Sequence, residues 1–131
     1  MVLPIMLYSA VYSGNLALVK RLLEGGDDVN GKIERTVSYL LHVAATSRSP
    51  NSAAIIELLL RAGAEVDSRG SHGFTPLMVA AYHDDRAAVR ALLDAGAELG
   101  AKNNGDLTAL DIALDTGSVS YDLYLRTLSP K

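Results

Sequence analysis

The sequence contains no cysteine and no tryptophan, and it contains only one phenylalanine. The lack of cysteine excludes disulfides, thiol nucleophiles and thiolate metal ligands, although it leaves the redox compartment open. The 12 basic and 15 acidic residues give a net charge of −3, which supplies no strong field for nucleic acid or for an anionic membrane. No stretch approaches the ~18 apolar residues of a membrane span. The composition therefore predicts neither a nucleic-acid partner nor a membrane partner.

Sequence motifs for catalysis or cofactor binding are also missing. The chain has no glycine-rich phosphate loop, no G-x-S-x-G and no basic stripe with stacking aromatics. The nearest cluster of metal-binding residue types is His72 with His83, Asp84 and Asp85, and its spacing matches no zinc motif. The aspartates are better explained as a helix N-cap and a favourable charge at the helix dipole. We predict a non-catalytic protein without cofactor or metal.

Chain length and the N-terminal residues indicate how the protein is organised and located. At 131 residues the chain fits one domain that buries roughly two thirds of its unfolded surface. The stretch Met1–Ala10 is apolar, but it contains no basic n-region and runs directly into the first repeat, so it does not resemble a signal peptide. We therefore expect a cytoplasmic location.

One compact unit, Gly73–Ala97, contains two short helical patterns and a stop signal. Thr75 can accept a hydrogen bond from a free backbone N–H at a helix start, and Pro76 stands where a missing donor does no harm. Gly96 can end the second helix in the left-handed conformation. The apolar positions recur at helical spacing, first as Leu77, Ala80 and Ala81 and then as Ala88, Val89, Leu92 and Leu93.

Copies of this unit recur along the chain. The segment Leu92–Gly100 is matched by Leu59–Asp67 and by Leu22–Asn30, and the helix-start segment is matched by Leu41–Ala45 and Leu110–Leu114. Self-similarity at about 33 residues is typical of a solenoid, in which each unit buries its apolar face against its neighbours.

These residues resemble the ankyrin repeat family, whose pattern is G-x-T-P-L-H-x-A-A followed by L-L-x-x-G-A-D-V-N. The resemblance covers nearly the whole chain, and it implies an all-α solenoid of helix-turn-helix units joined by β-turn or hairpin fingers. We expect a single ankyrin repeat domain over 1–131, with repeats at about 4–30, 31–67, 68–100 and 101–128.

The second repeat departs from the family pattern. Tyr39 and Leu40 replace Thr-Pro, so we expect Ser38 to cap the helix and Asp27–Ser38 to form a connecting finger. His42 occupies the family's histidine position, and we expect it to bond the backbone of the neighbouring finger. A loop is predicted at Thr46–Ser52.

The last repeat breaks register in its second helix, at about 118–128. Asp122 and Arg126 fall where earlier copies carry apolar residues. Polar groups there suit a solvent-facing end, so this helix is predicted to cap the stack and to keep the free protein monomeric.

The resemblance also implies a binding surface, because ligand proteins of the family usually lie against the concave face of finger tips and first-helix ends. Exposed aromatics flanked by arginine and histidine are typical of contact hot spots. The alternative for Tyr12 and Tyr82 is that they pack against adjacent fingers. The predicted partner-binding residues are Tyr12, Arg35, Thr46, Arg69, His72, Phe74, Tyr82, His83, Lys102 and Asp115.

The function predicted from these features is non-catalytic protein binding. A small module can act by what it covers, so we favour an inhibitor or antagonist, for instance in an immunity or antitoxin-like role. An adaptor that joins two proteins is the alternative, and it would need a second patch, for which Leu58 and the loop at Arg48 are candidates. An enzyme is the third and least favoured hypothesis.

Overall fold

The computed structural model describes residues 2–24, 32–47 and 49–117, and all regular structure within these ranges is helical. A short 3-10 turn at Ser71–Gly73 precedes the fifth α-helix. The α-helices are α1 Val2–Ser13, α2 Leu16–Glu24, α3 Lys32–Ser47, α4 Ser52–Arg61, α5 Pro76–Tyr82, α6 Arg86–Asp94 and α7 Ala109–Thr116.

The helices form two layers. In one layer α1, α3, α5 and α7 pack successively on one another, and in the other α2, α4 and α6 do the same. Within the described residues α1, α3 and α5 are each followed by a helix of the second layer that packs on them, namely α2, α4 and α6. The alanines Ala44, Ala45, Ala80 and Ala81 are fully buried, and their small side chains let the helices approach closely. This arrangement confirms the predicted all-α ankyrin solenoid.

The helix boundaries of the third repeat follow the predicted signals. The Thr75 hydroxyl accepts a bond from Met78 N and Pro76 begins α5. Asp85, and not Asp84, caps α6, and its carboxylate accepts a bond from Ala88 N at 3.2 Å. After α6, Gly96 adopts a φ of 95°, which a residue with a side chain rarely reaches.

The second repeat differs from the prediction. Helix α3 already begins at Lys32, so the finger expected over Asp27–Ser38 is wrong from residue 32 onward, and Ser38 lies inside the helix and does not cap it. The sequence explains the difference, because no glycine or proline occurs between Lys32 and Ser49 to stop a helix. Residues 25–31 of the expected finger lie outside the described residues.

The loop between α3 and α4 is also shorter than predicted. Helix α3 continues to Ser47 and α4 begins at Ser52, so Thr46 and Ser52 both belong to helices. The Ser52 hydroxyl is buried and donates to Asp85 at 2.8 Å, which links the second repeat to the third. Arg48 lies outside the described residues.

The structure describes the helices of the first repeat but not the helix predicted to cap the other end of the stack. Helix α2 buries Val19 and exposes Lys20 and Arg21. The predicted capping helix at 118–128, with Asp122 and Arg126, lies outside the described residues. No helix within the described ranges is long and apolar enough to cross a membrane.

Candidate functional site: a groove beside a row of tyrosines

The turn at Gly70–Phe74 forms the finger that precedes α5. Its ends are joined by a bond from Gly70 N to Phe74 O at 2.8 Å, and the 3-10 turn at Ser71–Gly73 lies between them. His72 adopts a φ of 57°, which is uncommon for a residue with a side chain. The finger is therefore a tight turn, with the His72 side chain exposed near its tip.

His42 supports this finger from α3. Its Nε2 donates to the carbonyl oxygen of Phe74 at 3.0 Å, as the sequence predicts for the histidine at this position. The ring lies so close to Gly70 that a Cβ added there would be 3.1 Å from Nε2. The imidazole thus fixes the distance between α3 and the finger, and its role is structural.

Arg69 supports the same finger from the other side. Its guanidinium donates to the carbonyl oxygens of Gly73 and Lys102, and the backbone N of Asn104 donates to the carbonyl oxygen of His72 at 3.0 Å. These bonds join the third finger to the fourth. The guanidinium of Arg69 thus holds protein backbone, and the contact of this residue with a partner stays a prediction.

Between α3 and α5, the finger borders a groove of about 410 Å³. The structure brings five of the predicted partner-binding residues together in its lining, namely Thr46, His72, Phe74, Tyr82 and His83, alongside Tyr39, His42, Gly70, Ser71 and Val79.

The groove lining is apolar and aromatic, and it includes no aspartate, glutamate, lysine or arginine. Tyr82 and Tyr39 are 55% and 59% exposed, whereas Phe74 is half-buried and packs against the core. Phe74 is therefore a wall of the groove and not the exposed aromatic expected from the sequence. The ring of His83 lies edge-on to that of Tyr82, with 5.1 Å between the ring centroids.

A row of stacked tyrosines continues from the groove along the first-layer helices. Tyr8 stacks on Tyr12 and on Tyr39, with ring centroids 6.2 and 6.4 Å apart. Tyr12 is 58% exposed, so neither it nor Tyr82 is buried by packing against a finger. We call Tyr8, Tyr12 and Tyr39 the tyrosine ridge.

Comparison with known proteins identifies the architecture. A family model described as ankyrin repeats (3 copies) matches residues 6–103 and 41–126. The chain belongs to the ankyrin repeat family. The expectation of about four repeats is close to this match, and ankyrin repeats are in general non-catalytic modules that bind other proteins.

Several curated proteins resemble this ankyrin repeat chain. Human B-cell lymphoma 3 protein is 35% identical over 120 residues, which cover 84% of this chain and 25% of that protein. Mouse ankyrin repeat and SAM domain-containing protein 6 is 31% identical over 82% of this chain, and mouse RelA-associated inhibitor is 31% identical over 78%. The chain spans 12% of the length of each of these two mouse proteins.

The lining of the groove does not include Lys102 or Asp115, two further predicted site residues of this ankyrin repeat protein. Lys102 is in the fourth finger, with its ammonium 3.7 Å from the Asp106 carboxylate. Asp115 is exposed on α7, and Arg35 lies on α3 and not in a finger.

Sequence reasoning missed Tyr39 and Tyr8. Tyr39 stands in the family's Thr-Pro slot and Tyr8 in its histidine slot. These departures from the repeat pattern were the available signal.

The histidine and aspartate cluster weighed as a metal site does not form one in the described part of the chain, where no group of three or more candidate ligands is found. Asp85 caps α6 and accepts a bond from Ser52, while the Asp84 carboxylate lies 3.8 Å from Arg86. These contacts account for Asp85 as a structural group, whereas the buried Oδ1 of Asp84 accepts no hydrogen bond and has only the ion pair with Arg86.

Proposed function

We propose that this ankyrin repeat protein binds one partner protein across the groove and the tyrosine ridge, and that it acts as a small inhibitor by covering a working surface of that partner. The observation that carries the proposal is the placement of several exposed tyrosines on one layer of the solenoid, beside a groove that is already formed. Tyrosine is enriched among the residues that dominate binding energy, because its ring offers a large contact area at a low entropy cost.

The inhibitory role is a separate part of the proposal. One similar protein is named RelA-associated inhibitor, and this name describes the mouse protein only. For this chain we propose inhibition because a binding face without a catalytic cluster can act by obstruction. An immunity or antitoxin-like antagonist is one form of that role. We further propose a single domain over 1–131, a cytoplasmic location, a monomeric free state and no nucleic-acid or membrane partner.

No observation in the described residues supports the adaptor hypothesis. Leu58, suggested as part of a second patch, is half-buried and packs against the core.

The test starts by isolating the partner with the purified chain and identifying it by mass spectrometry. The double variant Tyr12→Ala with Tyr82→Ala should then weaken binding by about two to three decades, if each tyrosine is a hot spot of about 2 kcal/mol and the effects add. Calorimetric titration measures the affinity, and addition of the chain should reduce the partner's activity.

The control is Arg90→Ala on α6, in the second layer, where the residue is exposed. The Arg90→Ala variant should bind the partner with an affinity close to that of the wild-type chain. If Arg90→Ala weakens binding and the tyrosine pair does not, the partner uses the other face. If both variants behave as expected but the partner keeps its activity, the binding site stands and inhibition is wrong.

A further inference from the structure

The groove has features that restrict the chemistry of what can enter it. None of its lining residues is an aspartate, glutamate, lysine or arginine, and most of the surface that it offers is carbon. The lining includes three histidines, His42, His72 and His83, but no carboxylate, so a lysine or arginine placed there would lose water without gaining a counter-ion, which is costly. The groove therefore disfavours a cationic segment, and its mostly carbon surface favours an uncharged, apolar one.

The aromatic rings define the shape of the entering segment. Tyr39 on α3 and Tyr82 on α5 stand on opposite helices, both more than half exposed, with half-buried Phe74 in the adjoining wall. Proline-rich segments in the polyproline II conformation dock in aromatic-lined grooves of this kind, because their shape is preformed and their rings pack flat on aromatic faces. Their backbone carbonyls make no internal hydrogen bonds and can accept from tyrosine hydroxyls.

The neighbouring tyrosine ridge is less suited to hold a ring. Its centroids are 6.2 and 6.4 Å apart, and the planes of each pair are within 7° and 16° of parallel. A further ring inserted between two parallel rings would make carbon contacts of about 3.5 Å on each side, which needs a gap of about 7 Å. The ridge therefore offers no slot for a further ring, and of its three tyrosines Tyr39 also lines the groove between α3 and α5.

A partner segment that binds by adding a β-strand is less compatible with this face. Addition of a β-strand needs an exposed strand edge, and no strand occurs in the ranges 2–24, 32–47 and 49–117.

We propose that the groove between α3 and α5 takes an uncharged, proline-rich extended segment of the partner, with an apolar side chain packed between Tyr39 and Tyr82. This inference rests on the proposed function, because it names the kind of segment that the same face would bind. It requires the partner to contain such a proline-rich segment.

The probe is a fluorescein-labelled ten-residue peptide of alternating proline and leucine, titrated into the full chain. Fluorescence anisotropy should report saturable binding, and the backbone amides of Gly70, Ser71 and Val79 should shift in NMR spectra. Tyr39→Ala and Tyr82→Ala should each weaken the peptide about tenfold or more, whereas Arg90→Ala should leave it unchanged. Thermal unfolding of each variant confirms that the fold is retained.

Two matched peptides test the chemistry. In one, lysine replaces leucine, and in the other, alanine replaces proline so that the peptide favours a helix. Both should bind at least about tenfold more weakly than the first peptide. Equal or tighter binding of either one would overturn the proposal, as would binding of the first peptide that ignores both tyrosine variants.

The failure of this inference can be told apart from failure of the proposed function. If the proline-rich peptide does not bind while Tyr82→Ala still weakens the isolated partner, the class of segment is wrong and the binding face stands. If neither the peptide nor the partner responds to the tyrosine variants, the face itself is wrong, and the inference fails with it.

Discussion

The finger at Gly70–Phe74 is held from two sides by groups of different character. On the side of α3, the half-buried ring of His42 bonds the Phe74 carbonyl and packs against Gly70. On the side of the fourth repeat, the exposed residue Arg69 bonds the carbonyls of Gly73 and Lys102. The bonds to Phe74 and Gly73 are both partly buried, whereas the bond from Arg69 to Lys102 is exposed, so water competes most with the bond to Lys102. The comparison indicates that the groove's shape depends mainly on His42, while Arg69 adjusts the tip of the finger.

The largest effect is expected from His42→Ala, which removes both the bond to Phe74 and the ring that fills the space beside Gly70. We expect the free energy of unfolding to fall by about 1–3 kcal/mol, from the lost hydrogen bond and the lost packing together. Urea unfolding followed by circular dichroism measures it.

The matched control for this prediction is His83→Ala, which removes a half-buried imidazole that contacts the Tyr82 ring. Its effect on unfolding should be smaller. Equal losses from the two variants would show that the bond to Phe74 contributes little, and the difference between the two sides of the finger would disappear.

A smaller effect is expected from Arg69→Ala, at about 0.5–1.5 kcal/mol, because the residue is exposed and water can replace it as the donor. Arg69→Lys should recover much of this loss, because a single guanidinium nitrogen, Nη1, donates both bonds and a lysine ammonium also carries enough protons to donate two. The same unfolding measurement applies, with Lys20→Ala on α2 as a control that also removes an exposed cation. A loss as large as that of His42→Ala would reverse the comparison.

Much of this finger could be predicted from the sequence, because its supports are repeated features. The caps at Thr75 and Asp85 follow from helix-start signals in the repeat, and the structural role of His42 follows from its place at the family's histidine position. The role of Arg69 could not be predicted in this way. Its bond to Lys102 joins two successive fingers, and no periodic signal shows that a guanidinium will reach a carbonyl 33 residues away.

In the second repeat, the repeat pattern itself led to a wrong prediction. Its finger was expected from the average length of the repeat, but the local sequence lacks a helix breaker and α3 begins at Lys32. The groove was predicted in part, since the ends of first helices and the finger tips do meet there. Tyr39 was missed because the repeat pattern assigns its position to a helix start and not to a surface.

The smallest effect concerns the fourth repeat, which supplies the second side of the finger. Thr108 and Asp111 cap α7 reciprocally, because Asp111 N donates to the Thr108 hydroxyl at 3.2 Å and Thr108 N donates to the Asp111 carboxylate at 3.0 Å. The backbone bond from Thr108, followed by the bond from its side chain, lowers the pKa of Asp111 below its ordinary value. Since the folded-state pKa is the lower one, the stabilisation is present above the unfolded-state pKa of about 3.9 and is lost as the pH falls through the folded-state value.

We expect acidification below about pH 4 to weaken the α7 cap and to loosen the bond from Asn104 N to His72 O before the bond from Gly70 N to Phe74 O, which His42 supports independently. NMR spectra recorded from pH 6 to pH 3 measure both amides, and Asp111→Asn, which keeps an acceptor but cannot titrate, should remove the pH-dependent part of the Asn104 shift. Simultaneous movement of the Gly70 and Asn104 amides in the wild-type chain would mean that the two sides of the finger loosen as one unit, and that His42 does not hold its side independently of the fourth repeat.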